Sequence, residues 1–431
     1  MIHANRAITA LCATLACVAY VGIAAAAETT LYGFQCTPDG SEPLAGLVPA
    51  KSGNLLGTTF AGGLSQGGTI FDLAPPASGE TNWTESVLYS FDSQTEQPPV
   101  TDAVHPMGGL VLGQAGVFYG TGYHSADFGC DDSGCGAVYA LTPKRQHMVT
   151  TYHESVVYDF LGMPDGQNPI GNLVVDSTGA LYGVTTYGGT AGAGTVFELT
   201  PPAAAGQPWT NTTLYNFQNG TDGGFPAAGL LFGTGGVLYG TTADSGSGTG
   251  TVFKLTPPTK SGHPWTETVL YTFGISGAPD DGAQPMATLV ANKNGALFGT
   301  TLFGGTDGLG AVFRLLPPKA GKNHWNYATL YSFTNSGDGA LPGAALLLKA
   351  NAMYGTTEGT GGTGSYGTVF EIAPPTGGST TWTETTLYQF TGGADGKYPF
   401  STLIADSAGN LYGTTEVGGP QKCGVAFEVT P

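Results

Sequence analysis

Two stretches of this chain concentrate side chains that can do chemistry, and they fall close together. The segment DSQTEQPPVTDAVHP (92–106) carries Asp102 and His105; GYHSADFGCDDSGCG (122–136) carries His124, Asp127, Asp131 and Asp132. Imidazole and carboxylate together can bind a divalent metal, or can work as acid and base near neutral pH. No spacing here matches a known metal-binding or catalytic signature, so a decorated surface loop is the simpler reading. A second set is dispersed and regular: D-x-x-x-P recurs with Asp39, Asp102, Asp165, Asp222, Asp281, Asp338 and Asp395, and six of the seven are followed by Gly. Seven carboxylates on one rim could hold a cation or a polyhydroxyl ligand. An Asp-Gly turn whose carboxylate caps nearby backbone N–H groups serves structure instead. Repetition favours the capping role, because an active site seldom needs seven copies.

The elements that position these residues are themselves repeats, which must be found before any fold is assigned. L-Y-x-F, or a close variant, recurs with its tyrosine at Tyr32, Tyr89, Tyr158, Tyr215, Tyr271, Tyr331 and Tyr388, at spacings of 57, 69, 57, 56, 60 and 57 residues. Within a unit the order is fixed: TLYNF, then DGGFPAAGLLF, VLYGTT, a Gly-rich loop and GTVFKLTPP. Five linkers put six residues between the second proline and a tryptophan, as in Pro202/Trp209 and Pro258/Trp265. Each unit thus holds four short runs of β-branched and aromatic residues bounded by Gly, Pro, Asn or Asp, which read as strands. Four strands per unit in seven units predict an all-β fold, a seven-bladed β-propeller of four-stranded blades. A parallel β-helix, the main rival, uses shorter coils and no regular hairpins. The runs PLAGLV, PMGGLV and PAAGLL, small residues followed by aliphatics, suit innermost strands crowding one axis. LYGTT then reads as the second strand, GTVFELTP as the third and WTETTLYQF as the outermost.

The stretch DGKYPFSTLIADSAGNLYGTTEVGG (395–419) and its six sisters, each leading into a GTVFELTP-like run, resemble the GloVer-type tandem repeats of exported bacterial proteins. The resemblance covers nearly the whole chain past its leader. It implies a secreted or surface-anchored propeller without an assigned biochemical role, and supplies no catalytic residues.

Residues 1–27 read as a signal peptide: Arg6, an Ala-rich apolar run, and an A-x-A site before Glu28. The rivals are a retained membrane anchor and a lipoprotein attached through Cys17, for which the leucine of TLAC sits one place too near the cysteine. Residues 28–431 then form the propeller. They open on an outermost strand, ETTLYGF, and end on a third strand, GVAFEVTP, so the N-terminal outer strand completes the last blade. Third and outermost strands run antiparallel, which sets Cys36 beside Cys423. A disulfide there would lock the ring, and Cys130 would pair with Cys135 across CDDSGC. Two thiols without a second pair are a poor zinc site.

Glycine, 71 of 431 residues, and a charged share of only 10% demand turns and exclude long charged helices, while 41% hydrophobic residues still supply a core. There are 13 basic and 31 acidic side chains; losing Arg6 with the leader leaves 12 against 31, a net charge of −19, which repels nucleic acid. The Gly-rich loops lack the lysine and helix of a phosphate loop. The expectation is therefore a secreted or periplasmic, monomeric binding or scaffold module for an extracellular glycan or protein. The sequence assigns no metal ligand and leaves the cofactor open, and past the leader no apolar run is long enough to span a bilayer. The alternative is a polysaccharide lyase or hydrolase using the loops of blade two.

Overall fold

The computed structural model describes residues 26–93, 102–125, 130, 134–146, 149–204, 206–246, 248–260, 262–274, 280–359 and 366–431. They form seven antiparallel sheets arranged as the blades of one ring, a seven-bladed β-propeller. Blade one runs outward from the axis through Val48–Pro49, Leu55–Thr59, Gln66–Ala74 and Thr84–Asp92. Blade seven runs through Ile404–Ala405, Leu411–Thr415 and Val425–Thr430, and its fourth strand is Ala27–Gly33 from the other end of the chain. The closing register pairs Glu28 with Val429 and Gly33 with Val425. Cys36 and Cys423 are disulfide-bonded beside this seam with Cα atoms 5.4 Å apart, and Cys130 is bonded to Cys135.

The repeat motif explains how neighbouring blades adhere. The phenylalanine of L-Y-x-F leaves the outermost strand of one blade and meets, edge to face, the aromatic residue of the third strand in the next. Phe34–Phe71, Phe160–Phe197, Phe217–Phe253, Phe333–Phe370 and Phe390–Phe427 all have ring centroids 5.0–5.2 Å apart. Such contacts add about 0.5–1.5 kcal/mol each beyond the area they bury. The ring tip lies over the glycine of LYGTT: a Cβ on Gly183 would sit 2.5 Å from Phe197 Cζ, too close for any side chain. The invariant Pro–Trp spacing has the same purpose. Trp83, Trp209, Trp325 and Trp382 reach back to Tyr412, Tyr119, Tyr239 and Phe298 on the second strand of the preceding blade, at 5.8–6.4 Å.

The innermost run departs from the sequence reading. Only its last residues join the sheet, as in Val48–Pro49, Val111–Leu112, Leu231–Phe232 and Val290–Ala291, although blade three keeps a longer strand, Gln167–Val175. The small residues before them pack blade against blade. A Cβ on Gly46 would stand 2.8 Å from Thr402 O, and Gly109 N–H donates to Asn172 Oδ1 at 2.6 Å. The backbones converge on the axis too closely to lie beside their own second strands. They enclose a cavity of about 120 Å³ whose wall includes Leu44, Met107, Ile170, Met286 and Phe400.

Candidate functional site

The seven repeated aspartates are engaged with the scaffold. Each accepts a hydrogen bond from the L-Y-x-F tyrosine of the preceding outermost strand: Tyr32 to Asp39, and Tyr89–Asp102, Tyr158–Asp165, Tyr215–Asp222, Tyr271–Asp281, Tyr331–Asp338 and Tyr388–Asp395 at 2.9–3.2 Å. Each also caps a backbone N–H, among them Gln35, Asp92, Leu161, Gln218, Gly274, Thr334 and Thr391. Asp39, Asp102, Asp338 and Asp395 are buried. The carboxylates tie the outermost strand of one blade to the loop that enters the next.

Three residues further on, each of these loops holds a residue in the left-handed region just before its proline. The seven are Glu42, His105, Asn168, Phe225, Gln284, Leu341 and Tyr398, with φ between 54° and 59°. The same backbone bonds recur around the ring. Phe225 N–H donates to Ala193 O, Gln284 N–H to Thr249 O and Tyr398 N–H to Tyr366 O, each at 2.7–2.8 Å. The carbonyls in turn accept from the end of the second strand: from Ala243, Leu302 and Glu416 at 3.0–3.1 Å. Residues before proline favour extended backbone, and only glycine or asparagine adopts the left-handed region cheaply. The backbone geometry repeats while the side chains do not. Asn168 is buried, with its Nδ2 bonded to Tyr123 O, whereas the other six are at least partly exposed. The residues two places on, Leu44, Met107, Ile170 and Phe400 among them, line the central cavity, so this varied ring surrounds its mouth.

One arc of the mouth is acidic. Glu358, at the end of blade six's second strand, is pushed up to about 7 by burial and then by the charge of Glu416. Glu416 is itself raised, by burial and then by Glu42, with Lys397 opposing. Lys397 Nζ lies 4.9 Å from the centre of the Tyr398 ring.

A pair of imidazoles gathers at blade two. Its second strand, Phe118–Ser125, continues past the usual end because Ala103–Pro106 pairs with it, Val104 opposite His124 and Pro106 opposite Gly122. Residues 122–125, the first of the loop expected at 122–136, therefore lie in this strand, and the entering segment supplies their ladder. The turn at His105, φ 57°, brings its Nδ1 to 3.2 Å from His124 Nδ1, with the two rings perpendicular. Phe60 of blade one packs against His105 and Tyr123 against the edge of His124, both at 4.9 Å. Burial lowers both imidazoles, His105 to about 4 with His124 as a further cause, so both are neutral at pH 7.

Asp102 belongs to a different hydrogen-bond set. Its Oδ2 accepts from Tyr89 and from Asp92 N–H, while Oδ1 has no partner among the described residues. Burial raises it to about 6 against the pull of those two donors. Beside it lie Glu154, pushed up to about 8 by burial and then by Asp102, and the fully buried Tyr139. Asp127, Asp131 and Asp132 lie outside the described residues. Among those described, no three His, Cys, Asp or Glu side chains gather to hold a metal ion. Six members of the left-handed ring escaped sequence reading because the repeated feature is the proline that follows them, not their own identity.

No curated protein matches the chain. Among solved structures it is similar to a protein from Bacteroides uniformis provisionally assigned as a 6-phosphogluconolactonase: 14% identity, 88% of this chain and 98% of that one, TM-score 0.50. It is also similar to a gluconolactonase from Xanthomonas campestris: 13% identity, 94% and 89% coverage, TM-score 0.42. At these identities the likeness concerns the fold alone. The model of the Gloeobacter/Verrucomicrobia repeat matches residues 21–205, 106–361 and 247–431, overlapping spans that together take in the whole ring, and the chain belongs to that repeat family.

Proposed function

We propose that this chain is an exported binding module that holds an extracellular or periplasmic glycan over the mouth ringed by the seven pre-proline residues. One observation carries the reading: a left-handed backbone repeats in all seven blades, yet none of the seven residues is glycine. Strain that glycine would relieve persists where the side chain matters. Aromatic faces (Phe225, Tyr398, Phe60) alternate with amides and carboxyls (Gln284, Glu42, Glu358), the complement of a sugar's apolar face and hydroxyl rim. Export is supported by the leader-like residues 1–27 and by two disulfides, which form and persist in oxidising compartments. No helix among the described residues is long and apolar enough to cross a membrane.

A glycan array probed with the mature chain tests this. Binding to one polysaccharide class, lost in a Phe225→Gly/Tyr398→Gly variant that keeps its thermal stability, is the expected result. Binding that survives in that variant overturns it. The histidine pair favours a second reading, a polysaccharide lyase or hydrolase working from the blade-two corner. Release of oligosaccharides that depends on His105 and His124 would establish that reading instead.

A further inference from the structure

The geometry of blade two points to a site for one borderline divalent transition-metal ion, Zn²⁺ or its like, held by His105 Nδ1 and His124 Nδ1. The two nitrogens face each other at 3.2 Å. At the usual zinc–nitrogen distance of about 2.0–2.1 Å, that separation subtends about 100–105° at a shared metal, close to the tetrahedral angle. As the apo pair stands, a single proton fills the gap: one Nδ1–H donates and the other Nδ1 accepts. A tautomeric shift that moves this proton to Nε2 frees both Nδ1 lone pairs for a cation.

The strand pairing beneath the two rings recurs in blades three and five, as Gln167–Tyr187 and Ala283–Phe303, but the two imidazoles are particular to this blade. The equivalents of His124 in other blades are Ala61, Tyr187, Asp244, Phe303, Gly359 and Val417, and the equivalents of His105 include no second imidazole. In blade one the matching strands meet only at the isolated bridge Ser41–Ala61. In blade two they form a ladder from Ala103–Ser125 to Pro106–Gly122, which fixes both Cα positions. Phe60 and Tyr123 wall the two rings. Both histidines are partly exposed, so water can fill the remaining coordination positions. A pair of imidazole nitrogens selects zinc, nickel, copper or cobalt over calcium and magnesium, which take oxygen ligands.

The inference stands apart from the glycan reading, because the metal is titrated alone. Untagged mature protein, stripped with chelator, is titrated with ZnCl₂ against a competing zinc indicator. One equivalent bound at micromolar zinc is expected, weakened by about tenfold or more in both His105→Asn and His124→Gln. Asparagine tolerates the left-handed backbone, so His105→Asn separates ligand loss from unfolding. Absence of a saturable micromolar site, binding by either variant as tight as that of the parent chain, or calcium saturating the same two histidines would each overturn the assignment.

Discussion

Asn211 Nδ2 donates to Asp165 Oδ1 at 2.6 Å, joining the outermost strand of blade three to the loop that enters that blade. Five other blades put a glutamate in Asn211's place, four residues before the L-Y-x-F tyrosine. There Glu85 stands by Asp39, Glu154 by Asp102, Glu267 by Asp222, Glu384 by Asp338 and Glu28 by Asp395. A carboxyl can imitate the amide only while it holds a proton.

That requirement sets the pH dependence of the ring. Burial, then the facing aspartate, pushes Glu85 and Glu267 up to about 7 and Glu154 to about 8. Glu384, also near 7, is raised by burial and Asp338 against a hydrogen bond from Thr386. An unperturbed glutamate titrates near 4.5, so between these limits the folded chain holds protons that the unfolded chain has released, and stability falls as pH rises. The contribution is complete in mild acid and lost as pH climbs through 7 to 8. Asp395 works the other way. Burial opposes ionisation there, but hydrogen bonds from Thr391 outweigh it, so its contribution is lost only below the ordinary aspartate range. Urea midpoints should therefore be higher at pH 5 than at pH 8.5; a flat profile, or one rising toward alkali, contradicts glutamates that burial and the facing aspartates hold protonated.

Glutamine in place of glutamate makes the donor permanent. Glu267→Gln should gain about 1 kcal/mol at pH 8, the worth of one hydrogen bond without an accompanying charge, and close to nothing at pH 5. Denaturant titrations of Glu85→Gln/Glu267→Gln should show a shallower pH slope than the parent chain.

Tyr139 marks a fault in the repeat. Six blades carry phenylalanine at this place in the third strand, and in blade two the added hydroxyl is fully buried without a hydrogen-bond partner among the described residues. Burial pushes that hydroxyl up, as does the charge of Glu154. Tyr139→Phe should stabilise the protein by about 1–2 kcal/mol in thermal or chemical unfolding, since an unsatisfied buried hydroxyl costs that much.

Much of this architecture was legible in the chain because each repeated residue has one physical task. The spacing of Tyr32, Tyr89 and their sisters counted the blades, and ETTLYGF at one end with GVAFEVTP at the other announced the closing strand. The aspartate partners were less visible. Tyr and Asp stand seven residues apart in five loops but ten and thirteen apart in the other two, so the pair emerges only once the loops are folded. The mouth was legible only in part. Periodicity picks out what recurs, and the side chains at Phe225, Gln284 and Leu341 do not. His105 and His124 were singled out by composition, yet their contact depends on a left-handed residue before proline that no residue preference foretells.

The seam offers a direct test of closure. Cys36 and Cys423 lie 387 residues apart, so their bond restrains almost the whole unfolded chain, whereas Cys130 and Cys135 are separated by 5. Chain entropy assigns about 6 kcal/mol to the first and about 2 kcal/mol to the second. Cys36→Ser should therefore cost more than Cys130→Ser in guanidinium unfolding, and Cys36→Ser/Cys423→Ser should cost no more than either single change.

Gln284 isolates the strain at the mouth from packing, because it holds the left-handed backbone, φ 54°, while its side chain is exposed. Glycine there removes a penalty of about 1–2 kcal/mol and adds about 0.5–1 kcal/mol of unfolded-state entropy. Gln284→Gly should thus stabilise the ring by about 0.5–1 kcal/mol, read as a higher urea midpoint. Gln284→Ala keeps the penalty and should leave the midpoint near that of the parent. If both variants weaken glycan binding while only the glycine variant gains stability, then the cost of holding a side chain at this position is tied to recognition. If the glycine variant loses stability, the left-handed turn carries no strain, and the ring of unlike residues loses its claim to be the binding face.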